Sequence, residues 1–221
     1  MSYGRWTVAA VMLCGLARPA CGQQVILHAR TMAAFRPAYL LERPEVIREL
    51  RLDRARAVYA RLQAMGAADR VMVELENQYK DPTTVAANLP AIVWALRGAI
   101  VKSLGENLTD RQLARLIQLE RQAMGAEAFA DPEVQKALEL TDDQKKQVRT
   151  VLSDMDRQED ALFDHILMNS KRPSTRVILT DMDRLPQSTV ERCTALLTEA
   201  QRGKWRELLG PRFFQESRVG Y

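Results

Sequence analysis

From Arg43 onward, apolar residues return at steps of three and four between polar ones, the spacing of helices that each bury one face. The pattern predicts a helix from about Arg54 to Tyr79 with Val58, Leu62, Met65, Met72, Leu75 and Tyr79 facing inward, weakened in its middle by Gly66. A second gathers around Ile92, Val93, Leu96, Ile100 and Leu104, with Pro90 near its start. A third opens at Thr109 and carries Leu113, Leu116, Leu119 and Met124. A long one runs from Asp142 to about Asn169 with Val148, Val151, Leu152, Met155, Leu162, Ile166 and Leu167 inward; at ~1.5 Å per residue it spans about 40 Å. Shorter helices cover about 187–196 and 199–209. Lys80-Asp81-Pro82, Gly105-Glu106-Asn107, Lys171-Arg172-Pro173-Ser174 and Gly210-Pro211 supply the breaks. Residues 23–39 show no period and suit a loosely structured leading segment, and 175–186 fit either a turn or a poorly formed helix.

The helix starts are marked more sharply than the helices. Asp131 suits an N-cap before Pro132, where a missing N–H costs nothing. Thr141 with Gln144 forms the S/T-x-x-E/Q relation of a capping box, as do Thr109 with Gln112 and Thr198 with Gln201. Asp142 and Asp143 add negative charge at the positive end of the helix dipole. These markers also repeat. Pro44-Glu45-Val46, Leu50 and Leu52 return as Pro132-Glu133-Val134, Leu138 and Leu140 at an offset of 88, and Leu108-Thr109-x-x-Gln112 returns as Leu197-Thr198-x-x-Gln201 at 89. Two markers at nearly one offset predict an internal duplication, with halves at residues 40–126 and 128–214 and a tail at 215–221. In the first half Asp53 stands for the threonine and Arg56 for the glutamine, so that copy keeps an N-cap and loses the box.

Composition narrows the class. The 221 residues are 47% hydrophobic with only 10 Gly and 9 Pro, which favours an all-α fold: an elongated helical bundle of long and short helices in two duplicated halves. The net charge of +4 does not point to nucleic acid, because basic and acidic residues interleave along the helices. Arg5, the apolar run Trp6–Leu16 and then Ala20-Cys21-Gly22 have the layout of a secretory signal over residues 1–22, cleaved before Gln23. The expected location is periplasmic or extracellular, with no membrane span after cleavage. Of the three cysteines only Cys193 would then remain, either as a small core residue or as a thiol able to cross-link two copies.

The three Leu-Thr-x-x-Gln segments resemble the LTxxQ motif of a group of exported bacterial helical proteins that includes the periplasmic stress proteins Spy and CpxP and related metal-responsive sensors. The order PEVxxxLxLTxxQ followed by LTxxQxxxWxxLLG is similar to secreted bacterial proteins built from the same units, over most of residues 40–214. The resemblance implies a curved helical dimer that holds unfolded clients or a signalling partner.

Candidate chemistry is sparse. Asp156, Asp160 and Asp164 share one helical face, and Glu159, His165 and Met168 lie near them; Asp160, Asp164 and His165 are the candidate metal ligands, against the alternative of a solvated acidic face. No HExxH, paired CxxC, phosphate loop or marked nucleophile is present, so neither a catalytic centre nor a cofactor is expected. Met65, Met72, Met124, Met155, Met168 and Met182 fit either core or an adaptable binding surface. Trp205 fits packing or a partner anchor, and Phe213 and Phe214 fold back on the bundle or join that anchor. The expected function is a non-catalytic exported module that binds protein partners or unfolded clients, chaperone-like or as a signalling adaptor; the alternative is an extracytoplasmic metal-responsive sensor or metal buffer.

Overall fold

The computed structural model describes residues 34–79, 82–168 and 187–214, and among them the regular structure is helical throughout. The protein is all-α. In chain order the helices are α1 (Arg36–Leu40), α2 (Pro44–Glu49), α3 (Arg54–Gln78), α4 (Pro82–Asn107), α5 (Asp110–Met124), a 3-10 stretch Gly125–Ala130, α6 (Pro132–Ala137), α7 (Asp142–Met168), α8 (187–195) and α9 (Glu199–Leu209). They form two compact units, the first ending at Ile117 and the second beginning at Gln118. The division between these compact units falls inside α5. The cause is local to the second unit: Arg121 and Gln122 donate side-chain hydrogen bonds to the carbonyls of Leu208, Leu209 and Pro211 at 2.7–3.5 Å, and the Phe213 N–H donates to Gln122 Oε1 at 2.9 Å.

In the first unit α2 opens on Pro44 and closes in a left-handed turn at Arg51, φ 52°. The Leu52 N–H reaches the Ile47 carbonyl and the Arg51 N–H the Arg48 carbonyl, each at 3.0 Å, which together make a Schellman closure. The next residue, Asp53, caps α3 by accepting from the Arg56 N–H at 2.8 Å. The chain thus reverses within four residues and hands one helix directly to the next. α3 packs along α4, and α1 packs against both. The segment preceding α2 departs from expectation at its end: Ala34, Phe35, Ala38 and Leu40 are buried, so 34–39 belong to the core, while 23–33 lie outside the described residues.

The facing of α3 corrects the sequence reading. Its buried side is Ala57, Ala60, Ala64, Ala67, Ala68 and Met72, whereas Val58 and Leu62, expected inward, are 42% and 56% exposed. Two overlapping periodic stripes lie on this helix, and side-chain size favours the wrong one. What decides is the partner: α4 buries Ile92, Leu96, Ile100 and Leu104, and a helix that turns large side chains inward packs closest against a face of small ones. α4 also begins earlier than expected, at Pro82, so Pro90 lies inside it. The helix loses one rung there, since proline has no N–H, and continues because the rest of its length is held by packing. Ala64→Leu is expected to lower stability by about 1–3 kcal/mol through overpacking, while Leu62→Glu stays within about 0.5 kcal/mol of the parent. Urea unfolding of both variants checks this, and the reverse order would restore Leu62 to the core.

The second unit starts with the end of α5, where Gly125 at φ 57° turns the chain into the 3-10 stretch. Asp131 caps α6 by accepting from the Glu133 N–H at 2.8 Å, with Pro132 in the first turn as expected. The closure of α6 repeats that of α2: Glu139 is left-handed at φ 53°, and the Leu140 N–H bonds the Gln135 carbonyl at 3.0 Å. Its core gathers Phe129, Val134, Leu138, Leu140, Val148, Val151, Cys193, Leu197 and Trp205. Buried positions correspond between the units at the offset of 88 (Leu41 with Phe129, Val46 with Val134, Leu50 with Leu138, Leu52 with Leu140) and at 89 (Leu104 with Cys193, Leu108 with Leu197, Leu116 with Trp205). Cys193 is a free and fully buried thiol, and burial pushes its pKa up to about 11, offset in part by the charge of Arg192.

Candidate functional site

The Leu-Thr-x-x-Gln segments are built to do more than cap. In each, the threonine hydroxyl accepts from the glutamine N–H at 3.2–3.3 Å and the glutamine Oε1 accepts from the threonine N–H at 2.9–3.1 Å, so all three boxes close as expected: Thr109 with Gln112, Thr141 with Gln144, and Thr198 with Gln201. The glutamine Nε2 is then left over, and it reaches out of its own helix. Gln144 Nε2 donates to the Leu196 carbonyl at 2.9 Å and Gln201 Nε2 to the Glu139 carbonyl at 3.5 Å; each carbonyl stands two residues before the other segment's threonine. The two side-chain amides also bond each other in both directions, at 2.8 and 3.0 Å. The leucine of each segment, Leu140 or Leu197, is buried in the second core. Two segments thus grip one another as a reciprocal clasp.

The first unit builds the same junction from different residues. Gln112 Nε2 donates to the Leu50 carbonyl at 3.0 Å, and the Arg56 guanidinium donates to the Asn107 carbonyl at 3.3 Å, two residues before Thr109. Arg56 therefore replaces Gln144 functionally as well as positionally, which a comparison of motifs alone could not reveal. A salt bridge ties each junction further: Arg115 to Glu49 at 2.8 Å in the first unit and Lys204 to Glu139 at 2.6 Å in the second. The Lys204 hydrogen bond and charge hold the Glu139 carboxyl below its usual range. This site orients helices.

The surface best suited to a partner is on α3. Turning the alanine face inward leaves Val58 (42% exposed), Tyr59 (56%), Leu62 (56%) and Val73 (57%) outward, the only large hydrophobic side chains so exposed among the described residues. Together with Gly66 they recur at helical spacing on the face opposite the packed one. Tyr59 and Val73 were missed from sequence. The signal that would have exposed them is the alanine spacing at 57, 60, 64 and 67, which competes with the larger residues for the inward face.

The other candidates fall elsewhere. Trp205, with its two readings, is 4% exposed and packs against Phe129 with ring centroids 4.3 Å apart and planes tilted by 37°, so its indole is a core element. Phe213 and Phe214 meet edge to face at 5.0 Å and are half-buried against the second unit. Met72 and Met155 are buried and Met124 packs on the second core, while Met168 and Met182 lie outside the described side chains. So do the side chains of Asp160, Asp164 and His165; among the described residues no group of three or more metal-ligating side chains gathers. Nor, among those residues, is any helix long and apolar enough to cross a membrane.

On α7, Asp154 accepts from Arg192 of α8 at 2.9 Å and from Arg157 one turn along its own helix. The Arg192 bond first, then that of Arg157, holds its carboxyl below the ordinary value. A depressed folded pKa contributes stability that is present above the unfolded value of about 3.9 and lost as pH falls through the folded one. The stability difference between the parent and Asp154→Asn should accordingly be constant above about pH 5 and shrink toward zero on acidification, as measured by urea unfolding across that range.

No family model, curated protein or solved structure matches this chain.

Proposed function

We propose that this protein is a non-catalytic, exported binding module that engages apolar segments of other proteins through the outward face of α3, in a chaperone-like or adaptor role. The observation that carries this reading is the stripe Val58, Tyr59, Leu62 and Val73, a set of large apolar side chains kept in water by a helix whose other face is already packed. Soluble chains seldom hold such a row without a use for it, and a helix face with anchors at this spacing suits an apolar helix or extended segment. Export draws on Arg5, the run Trp6–Leu16 and Ala20-Cys21-Gly22; the LTxxQ resemblance points to the same compartment. The matching turns, caps and buried positions at offsets of 88 and 89 support descent of the two units from one duplicated ancestor.

The test is light scattering of an aggregating client protein in metal-free buffer. Suppression near stoichiometric ratios by the parent, and its loss in Val58→Glu/Leu62→Glu at unchanged helix content, is the expected result. Equal suppression by both would place the binding surface away from α3, and no suppression by the parent would remove the chaperone-like role.

A further inference from the structure

We infer that the segments α3 takes are apolar stretches with carboxylates at one end; this rests on the reading of α3 as a protein-binding face and names the chemistry of what it binds. The second unit supplies an internal reference. At the offset of 88, Arg54, Val58, Tyr59 and Leu62 of α3 correspond to Asp142, Lys146, Gln147 and Thr150 of α7, and all eight are exposed. The same succession of caps and buried positions closes with either set. The three apolar side chains and the base before them are therefore particular to the first unit, and its packing does not require them.

Charge then selects the partner. From Arg54 to Gly66 the helix carries Arg54, Arg56 and Arg61 and no acid; beyond Gly66 come Asp69, Glu74 and Glu76 against Arg70 alone. Three of the four exposed large apolar side chains lie on the basic stretch, with Arg54, Val58 and Leu62 at four-residue steps along one face. Two of the bases are already engaged: Arg61 pairs with Glu42, and Arg56 donates to the Asn107 carbonyl beside Glu106. Two nearby acids are engaged as well, Glu49 by Arg115 and Asp53 by the Arg56 N–H. Arg51 and Arg54 remain exposed at this end of the stripe. Arginine in the first turn also opposes the helix dipole, whereas α2, α5, α6, α7 and α9 each carry an acid there. An apolar segment whose carboxylates lie over Arg51 and Arg54 meets complementary charge, and one with lysines there meets its own sign. The acids past Gly66 disfavour carboxylates at the segment's other end.

The experiment measures the fluorescence anisotropy of three labelled peptides titrated with the full chain. All share the apolar core Leu-Val-Tyr-Leu-Val; one end carries two aspartates, two asparagines or two lysines, and the other end is neutral. The expected order of affinity is aspartate, asparagine, lysine, with about tenfold between first and last at low salt and the gap closing as salt rises. Leu62→Glu should weaken all three. Arg54→Glu should remove or reverse the order, and Arg54→Gln should give an intermediate ratio. Because Arg54→Glu places an acid at the favourable end of the dipole, its urea midpoint should not fall, so the ratio is read from folded protein. Equal binding of the three peptides at every salt overturns the charge selection, and the α3 face stands if Leu62→Glu still weakens them. Tightest binding of the lysine peptide overturns the selection outright, as does an aspartate preference undiminished in Arg54→Glu, which would move the selecting charge off α3. If none of the three binds the parent, the selection and the α3 reading fall together.

Discussion

Trp205→Ala is expected to lower stability by about 3–5 kcal/mol, the range for removing a fully packed large aromatic from a core. Trp205 is 4% exposed and lies over Phe129, itself fully buried, amid Val134, Leu138, Leu140, Val148, Cys193 and Leu197. Loss of the indole opens a cavity in a core to which α6, α7, α8 and α9 all contribute. The aromatic pair should carry about 0.5–1.5 kcal/mol beyond its buried area, recoverable from a double-mutant cycle with Phe129→Leu. The first unit suggests the milder replacement. There Leu116 stands at the position of Trp205 and Leu41 at that of Phe129, both buried, so an aliphatic pair also closes this arrangement and Trp205→Leu should cost less than the alanine. Urea unfolding followed by far-UV circular dichroism is the measurement, since Trp205 is itself a fluorescence reporter. A loss under about 1 kcal/mol for the alanine variant would show that the second core does not depend on the aromatic pair.

Gln144→Ala should follow at about 2–3 kcal/mol, from the loss of four modest hydrogen bonds: one from the Thr141 N–H, one to the Leu196 carbonyl and two exchanged with Gln201. The informative variant is Gln144→Glu. A carboxylate still accepts from the Thr141 N–H and from Gln201, so the cap survives, but it has no donor for the Leu196 carbonyl and turns negative charge toward that oxygen. If the residue were only a cap, Gln144→Glu would be harmless, as glutamate is a common partner in capping boxes. If it is a clasp, the variant is destabilised at neutral pH. The neutral acid can donate, so folding favours protonation and raises the pKa of the introduced carboxyl above its unfolded value of about 4.3. Stability relative to the parent is then best below that value and is lost as pH rises through the folded pKa. Unfolding of parent and variant compared at each pH distinguishes the two roles. Arg56→Gln in the first unit should be tolerated, since glutamine serves the equivalent carbonyl in the second.

Some of this was legible in the chain. The capped helix starts and stops were, because caps, prolines and left-handed turns act over four or five residues: Thr-x-x-Gln closed as a box three times, Pro44 and Pro132 opened their helices, and Gly210 ended the last one, whereas the start of α4 at Pro82 and the helix α1 were not. The offset of 88–89 marked positions that take the same turn and the same burial. The facing of α3 was not legible. Alanine and valine stripes share that helix, and local sequence contains no term for how closely α4 will approach. The second function of the glutamines was also hidden, because an Nε2 hydrogen bond across 52 or 62 residues leaves no trace in a five-residue motif. The ties of Arg121 and Gln122 were hidden for a similar reason, since their partners lie some 87–91 positions away.

By itself the sequence determined the all-α class and the caps that open and close most of the helices, which follow from hydrogen bonds and dihedral preferences a few residues long. Only the tertiary structure decided which face of α3 meets water, which carbonyls the spare glutamine amides reach, and that Trp205 is enclosed. Those outcomes depend on the volume and polarity that distant segments bring to the same place, and one face of a helix is chosen by whatever packs against the other.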